Sequence, residues 1–277
     1  MLRYSILDPT GNITAIVESP VEIASQPSTA AALMRRHPEV EQVGFLRGVS
    51  DGDNVWAELR MAGGEFCGNA SMSAAALLIL QDGPCEDEKN IELRVSGAAE
   101  PVALCLRPEG ESACLAEIVM PPALEISETA FAFGSLRGTL PLVRMEGISH
   151  LVIARKSVFF SLLKNRSGAE KAVRAFCEAL GADGLGLMFL DGQGAEYSLT
   201  PLVYIPGSGT CFWETSCASG SAAVGMYLAQ KTGSAAELSL SEPGGILRVR
   251  SEPGNGETRL YGHVRVIAQL KIPETEL

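Results

Sequence analysis

The chain of 277 residues carries 33 acidic and 22 basic side chains, a formal net charge of −11 at pH 7. This balance argues against a nucleic acid or an anionic membrane as partner, because such partners are bound by basic surfaces. With 46% hydrophobic and 20% charged residues, the composition is that of a globular protein. The length exceeds one typical domain, so we expect two.

No stretch reaches the roughly 18–20 uninterrupted apolar residues of a membrane span, and no basic end precedes a long apolar run at the amino terminus. We therefore expect a soluble, cytoplasmic protein. The seven cysteines are odd in number and form no Cys-x-x-Cys pair, a pattern typical of reduced thiols rather than of a disulfide framework. The three histidines have no metal-ligand spacing, so no metal is expected.

The first half of the chain predicts a mixed α/β unit. Residues 5–17 indicate two strands around the turn at 8–12, and residues 30–37 indicate a helix that Pro38 ends. Strands are predicted at 40–46 and 56–61, followed by a helix that begins near Cys67 and extends to about residue 80. Further strands are predicted at 91–96, 102–107 and 116–120, before a boundary at Pro121-Pro122.

The second half repeats this order. It predicts strands at 140–144 and 150–154, a helix at 167–180, strands at 185–190 and 199–205, a helix after Cys217, and strands at 246–251 and 259–270. Because Cys67 and Cys217 stand 150 positions apart, we infer an internal duplication. The expected domains are residues 1–120 with about 262–277, and residues 121–261. Each helix that follows a cysteine is apolar on all sides, so we infer that each domain wraps its strands around its own central helix.

Two similar stretches, at 63–78 and 212–228, carry the candidate chemistry. In each, a cysteine precedes small residues and an Ala-rich segment, so the cysteine should stand at a helix start. Unpaired N–H groups and the helix dipole there favour an anion and a more acidic thiol. If the two helix starts face each other between the domains, their backbone groups can hold one ligand carboxylate, with a thiol on either side of the adjacent carbon. The donors are those of Gly68, Asn69, Ala218 and Ser219. Either cysteine alone could be an ordinary buried residue, but the repetition favours a functional pair.

Five motifs occur in order along the chain: Pro-Thr-Gly-Asn (9–12), Glu-Gln-Val-Gly-Phe (41–45), Gly-Gly-Glu-Phe-Cys-Gly-Asn-Ala (63–70), Trp-Glu-Thr-Ser-Cys-Ala-Ser-Gly (213–220) and Glu-Pro-Gly-Gly (242–245). Together they resemble the diaminopimelate epimerase superfamily, and most of all its histidine racemase branch in opine-metallophore biosynthesis. The resemblance implies an α/β fold of two pseudo-symmetric domains, each a curved, mostly antiparallel sheet or barrel around a central helix. It implies an isomerase that inverts an amino acid, L-histidine to D-histidine. It also implies no pyridoxal phosphate or metal, and commonly a homodimer.

The resemblance assigns Cys67 and Cys217 as the acid/base pair. One thiolate removes the α-proton and the other thiol returns a proton to the opposite face. Asn12 and Asn69 match side chains near the substrate's carboxylate and ammonium, and Gln42 matches a polar position close to the substrate. For Asn12 the alternative is an ordinary turn residue, since Gly-Asn is common in turns.

Three further residues are weaker site candidates. Glu41 and Glu214 are candidates to bind an ammonium or imidazole group, although most glutamates are simply solvated. His150 matches a histidine near the cysteines in relatives. Because a lone histidine is more often structural, we assign it a supporting role.

The chain departs from diaminopimelate epimerases where they hold the far end of their substrate. Ser208 and Gly209 replace a Glu-Arg pair, Met61 replaces an Asn, and Ile148 replaces the Asn of the turn before His150. A second zwitterion would stay unpaired, at a cost of several kcal/mol. Diaminopimelate is therefore disfavoured.

Four alternatives remain open at this stage. The apolar residues Phe212, Trp213, Met61 and Ile148 also suit a racemase of other or broader amino acids. Diaminopimelate epimerase proper ranks next. An idle amino-acid-binding protein would be expected to have lost one thiol, and a phenazine-pathway-like isomerase would lack the pair.

Overall fold

The computed structural model describes residues 1–51, 54–80, 87–254 and 256–273. The chain forms two compact units: unit 1 is Met1–Val119 with the chain from Tyr261 onward, and unit 2 is Met120–Leu260. Both combine strands with α-helices, as the sequence predicts. No helix in the described parts of the chain has the length and apolar character that a membrane crossing requires.

The helices and strands are numbered in chain order. The first half contains β1 (Leu2–Pro9), β2 (Thr14–Val17), α1 (Gln26–Arg36), β3 (Gln42–Asp51), β4 (Asn54–Met61), α2 (Gly68–Leu80), β5 (Lys89–Val95), β6 (Val102–Pro108) and β7 (Ala113–Met120). The second half contains β8 (Glu125–Phe133), β9 (Leu136–Arg144), β10 (Ser149–Ala154), α3 (Arg166–Leu180), β11 (Leu185–Gln193), β12 (Glu196–Ile205), β13 (Thr210–Trp213), α4 (Ala218–Thr232), β14 (Ala236–Glu242), β15 (Gly245–Ser251) and β16 (Thr258–Ile272). Short 3-10 helices lie at Ile23–Ser25 and Val158–Lys164.

Unit 1 is a closed barrel around α2. Its strands follow the order β1-β2-β3-β4-β5-β6-β7-β16, and β16 pairs antiparallel with β1 to close the ring. Helix α2 packs against every strand from β1 to β6. All its residues from Gly68 to Leu77 are buried, and the small Ala and Ser side chains let the strands approach from all sides. The predicted central helix is confirmed.

Unit 2 repeats this connectivity. Its strands follow the order β8-β9-β10-β11-β12-β14-β15, with β13 on β12. In unit 1, α1 and α2 connect the parallel pairs β2/β3 and β4/β5. In unit 2, α3 and α4 connect the parallel pairs β10/β11 and β12/β14. Helix α4 packs against β9, β10, β11, β14 and β15, so the predicted pseudo-symmetry of two sheets around central helices is confirmed.

Helix α3 covers the outer face of β11 and β12 in unit 2. Asn165 caps its start by accepting the N–H of Gly168 at 3.1 Å, and Gly181 ends it in a left-handed conformation with φ 59°. The ring of Phe176 on α3 packs edge-on against Phe159 with centroids 5.7 Å apart. This aromatic core packs against residues of β10 and β11, and β10 carries His150.

Candidate active site

Cys67 stands directly before α2 and is 9% exposed. Its Sγ accepts a hydrogen bond from the backbone N–H of Ala70 at 3.3 Å, so the predicted location at a helix start is confirmed. The same Sγ donates to Oε1 of Gln42, the first residue of β3. Gly68 and Asn69 are buried in the first turn of α2, where backbone N–H groups have no acceptor within the helix.

The loop before Cys67 is held by the turn that follows β5. Ser96 Oγ donates to the carbonyl of Glu65 at 2.8 Å and accepts the backbone N–H of Met61 at 2.9 Å. Gly97 adopts φ 72°, and a Cβ at this position would lie 2.2 Å from the backbone nitrogen of Phe66. Only glycine therefore allows this close approach.

Asn12 and Glu41 contact each other in unit 1. The side-chain amide of Asn12, fully buried in the turn after β1, donates to Oε2 of Glu41 at 3.2 Å. The backbone N–H of Glu41 donates to the carbonyl of Ile13 at 2.8 Å. Gln42, the next residue along the chain, accepts from the Cys67 thiol.

Cys217 has the same local geometry in unit 2. It is the N-cap of α4 and is 4% exposed, and its Sγ accepts the backbone N–H of Gly220 at 3.4 Å. Cys67 makes the same contact with the same three-residue spacing. Ala218 and Ser219 are buried in the first turn of α4. The duplication seen in the sequence therefore extends to the immediate surroundings of both thiols.

His150 connects to Cys217 through Ser219. Its Nε2 lies 3.1 Å from Ser219 Oγ, which lies 3.7 Å from Cys217 Sγ. The imidazole is fully buried, and burial lowers its pKa from 6.5 to about 3, so the ring is neutral at physiological pH. A Cβ on Gly186, on the neighbouring strand, would lie 2.3 Å from Nδ1. The ring is thus fixed in place beside the serine.

Two glutamates surround Cys217. Oε2 of Glu242 accepts the backbone N–H of Cys217 at 2.8 Å, and the Glu214 side chain hydrogen-bonds the thiol. Burial, followed by these two carboxyl groups, raises the pKa of Cys217 well above 9. Burial also raises the pKa of Glu242 to about 8, although Ser221 donates a hydrogen bond to it. The expectation that the helix start makes this thiol more acidic is therefore wrong for Cys217 in the free protein.

The candidate apolar residues differ in their exposure. The ring of Trp213 stacks on Phe189 with centroids 5.8 Å apart and belongs to the core of unit 2. Met61 and Ile148 are also buried, at 2% and 6% exposure, whereas Phe212 is 38% exposed. The Trp213 ring is thus engaged in core packing.

A tight turn stands where diaminopimelate epimerases carry a charged pair. Gly209, with φ 70°, donates its N–H to the carbonyl of Pro206 at 3.0 Å. Ser208 Oγ lies 2.7 Å from Thr210 Oγ1. The hydroxyl groups of Ser208 and Thr210 thus hydrogen-bond to each other, and the turn presents no charged side chain.

The candidate residues fall into two groups, one in each unit. Unit 1 holds Asn12, Glu41, Gln42, Cys67, Gly68 and Asn69, and unit 2 holds His150, Glu214, Cys217, Ala218 and Ser219. Glu242 and Ser221 also contact the Cys217 turn, and neither is among the residues predicted from the sequence. A signal was available, because Glu242 opens the Glu-Pro-Gly-Gly motif and Ser221 follows Cys217 at the spacing that separates Ser71 from Cys67.

Comparison with known sequences identifies close relatives. The family profile "Histidine racemase CntK N-terminal domain" matches residues 1–272. A histidine racemase of Fusobacterium nucleatum subsp. nucleatum is 30% identical over 279 residues, covering 98% of this chain and 96% of the relative. A histidine racemase of Staphylococcus aureus is 29% identical over 273 residues, covering 97% of this chain and 96% of the relative.

Solved structures share the fold at lower identity. A "Predicted Epimerase" from Pseudomonas aeruginosa superposes with a TM-score of 0.68 at 18% identity, covering 98% of this chain and 99% of the other. A probable proline racemase from Agrobacterium radiobacter gives a TM-score of 0.67 at 12% identity, with 99% and 93% covered. At these identities the likeness establishes the fold.

Proposed function

The chain belongs to the histidine racemase family, and on this premise we propose that it interconverts L-histidine and D-histidine with two cysteines as acid and base. Membership makes the chain an amino-acid racemase, an isomerase that works without pyridoxal phosphate. The observation that supports the cysteine mechanism is the repeated geometry at Cys67 and Cys217. Each is buried before an apolar helix, and each Sγ accepts the N–H of the third residue onward.

In the proposed reaction the α-carbon loses its proton to one sulfur and gains a proton from the other on the opposite face. A thiolate is the base and a thiol is the acid, and the roles exchange in the reverse direction. Gln42 accepts from the Cys67 thiol, while Glu214 and the His150–Ser219 pair surround Cys217. These contacts orient each sulfur while leaving its proton available for transfer.

Charge on the substrate carboxylate grows as the α-proton leaves. We propose that the backbone N–H groups in the first turns of α2 and α4 stabilise it, at Gly68, Asn69, Ala218 and Ser219. Loss of one such preorganised donor typically costs about 10²–10³ in rate. Because the proposed reaction has no cofactor as electron sink, these donors carry much of the stabilisation.

Glu41 is the proposed partner of the substrate's imidazole, with Glu214 as the second candidate. The Glu41 carboxylate accepts a hydrogen bond from the Asn12 amide, and the next residue along the chain, Gln42, accepts from the Cys67 thiol. The uncharged turn at Ser208 and Gly209 supports a substrate without a second zwitterion. A broader racemase and a diaminopimelate epimerase are the competing outcomes of the test below.

We also propose a cytoplasmic homodimer that supplies D-histidine for opine-metallophore synthesis. This part rests on the family resemblance. Sedimentation at micromolar concentration tests the dimer, which should have twice the 29.2 kDa mass of one chain.

The decisive experiment is racemisation in heavy water without added cofactor, across the twenty amino acids and diaminopimelate. The first D-histidine formed should carry solvent deuterium at the α-carbon, while recovered L-histidine carries little, because each face has its own base. Equal early labelling of both enantiomers would contradict the two-base mechanism. A higher kcat/KM for diaminopimelate than for histidine would contradict the substrate.

Cysteine variants test the two thiols one at a time. Cys67→Ala and Cys217→Ala should each remove nearly all racemisation. Cys105→Ala in unit 1 and Cys211→Ala in unit 2 are matched controls, since both are free thiols outside the candidate site, and should retain the wild-type rate. A near-normal rate in either site variant would exclude that cysteine from the mechanism.

A further inference from the structure

Glu242 is a buried carboxyl group at the start of α4. It is the last residue of β14 and is 6% exposed. Its Oε2 accepts the backbone N–H of Cys217 at 2.8 Å, and its Oε1 accepts from Ser221 Oγ in the first turn of the helix. The Glu242 side chain thus hydrogen-bonds to both Cys217 and Ser221, which lies one helical turn after it.

The hairpin that carries Glu242 also hydrogen-bonds to the loop that precedes Cys217. The backbone N–H of Gly244 donates to the carbonyl of Thr215 at 2.7 Å, and Glu242 stands opposite Gly245 in the β14–β15 register. The turn therefore contacts the chain on both sides of Ser216. Movement of the hairpin would move Cys217.

In unit 1 the corresponding hairpin contacts its cysteine loop through an uncharged side chain. The equivalent turn follows β5, and there the neutral hydroxyl of Ser96 donates to the carbonyl of Glu65. Burying an ionised carboxyl group costs more free energy than burying a hydrogen-bonded hydroxyl. The carboxyl group of the unit 1 loop, Glu65, lies in the loop itself and faces Arg60. Glu242 differs because it comes from the hairpin, accepts the N–H of Cys217 directly and faces a second carboxyl group, Glu214.

We propose that Glu242 is a positioning residue that fixes the first turn of α4 and keeps Cys217 in its thiol form until substrate arrives. The assignment of Cys217 as an acid/base group rests on the proposed function. Three side chains face the Glu242 carboxyl group and its immediate surroundings: Glu214 from the loop, and Cys217 and Ser221 from α4. Once the Glu242 carboxyl group has ionised, near pH 8, Glu214 and Glu242 together disfavour a negative charge on sulfur, and the ammonium group of an amino acid entering beside them would offset this effect.

The test is the pH profile of thiol alkylation at each cysteine. Wild type and Glu242→Gln are treated with iodoacetamide between pH 7 and 10, and peptide mass spectrometry quantifies Cys217 and Cys67 separately. Glutamine keeps the shape and can still accept the Cys217 N–H, but it removes the negative charge. Glu242 ionises near pH 8, so the ratio of the Cys217 alkylation rates in the variant and the wild type should rise from about one at pH 7 to about tenfold above pH 9, the effect of a one-unit fall in the thiol pKa. The Cys67 rates should stay unchanged.

Two further variants keep the result interpretable. Glu237→Gln changes an exposed glutamate of the same strand, with 74% of its side chain accessible, and should not shift either profile. Ser221→Ala keeps the carboxyl group but removes the hydroxyl that favours its ionised form. It should shift the Cys217 profile in the same direction by less, and it remains informative if Glu242→Gln does not fold.

An unchanged Cys217 profile, an equal shift at Cys67, or a rise by the same factor at every pH would overturn the proposal. The last result would indicate loosening of the helix start. Absence of histidine racemisation by the wild type would refute the proposed function instead, since the alkylation profile does not depend on turnover.

Discussion

Gly97→Ala should destabilise unit 1 and disturb the Cys67 loop. Alanine in a left-handed conformation costs about 1–2 kcal/mol, of which the stiffer unfolded chain offsets about 0.4–1 kcal/mol. The added Cβ would also lie 2.2 Å from the backbone nitrogen of Phe66, and relieving such overpacking costs about 1–3 kcal/mol. The expected loss in free energy of unfolding is therefore about 2–4 kcal/mol.

Gly110→Ala is the matched control. Gly110 also has positive φ, at 97°, but a Cβ there meets nothing within 4 Å, so only the conformational cost of about 1 kcal/mol applies. Urea denaturation followed by circular dichroism gives the difference between the variants, and alkylation of native Cys67 reports on the loop. If both variants lose the same stability and alkylate Cys67 alike, the contact between Gly97 and Phe66 does not position the loop.

Two further predictions concern Glu41 and His150. Glu41→Gln should lower kcat/KM for histidine by an amount equivalent to about 1.5–3 kcal/mol of transition-state free energy, the usual contribution of a hydrogen bond to a charged group, and should leave kcat/KM for alanine unchanged. Equal losses on both substrates would exclude a role of Glu41 in specificity. Burial lowers the pKa of His150 from 6.5 to about 3, so between these pH values the histidine is protonated in the unfolded chain but not in the folded one. The free energy of unfolding should therefore fall as the pH falls from 6.5 towards 3, by at most about 1.4 kcal/mol per pH unit. His150→Gln should flatten this slope, whereas substitution of the exposed His263 should not, and thermal unfolding across this range measures both.

The central helices are the part of the fold that the sequence predicts best. Their Ala-rich segments lack charge and proline, so burial on all sides within the sheet is favourable. The cysteines predict where the helices begin. The elements that the patterns above do not indicate are β8, β13 and β14. Strand β8 has only one buried residue, Phe131, and β13 has only four residues, so their apolar signals are weak. In β14, however, buried Leu238, Leu240 and Glu242 alternate with more exposed residues. This alternation is typical of a strand, but a glutamate at a buried position does not contribute to the apolar pattern in the sequence.

The raised pKa of Cys217 could not be derived from its location at a helix start. A helix start lowers a thiol pKa when its dipole is the main influence. Here burial raises the thiol pKa, and so do the carboxyl groups of Glu214 and of Glu242, which lies in a hairpin 25 residues further along the chain. The sequence contains Glu242 but does not reveal that β14 ends beside α4, because that contact depends on the parallel pairing of β12 with β14.

The closure of the unit 1 barrel has a consequence for synthesis of the chain. Strand β1 pairs with β16, from Leu2 opposite Ile272 to Pro9 opposite Val264, so nearly the whole protein must leave the ribosome before that ladder can form. Unit 2, which is continuous in sequence, can fold earlier. Until β16 emerges, the nascent chain exposes one edge of β1, and unpaired strand edges invite association with other chains. Release of the last strand is thus the step at which this protein gains protection from aggregation.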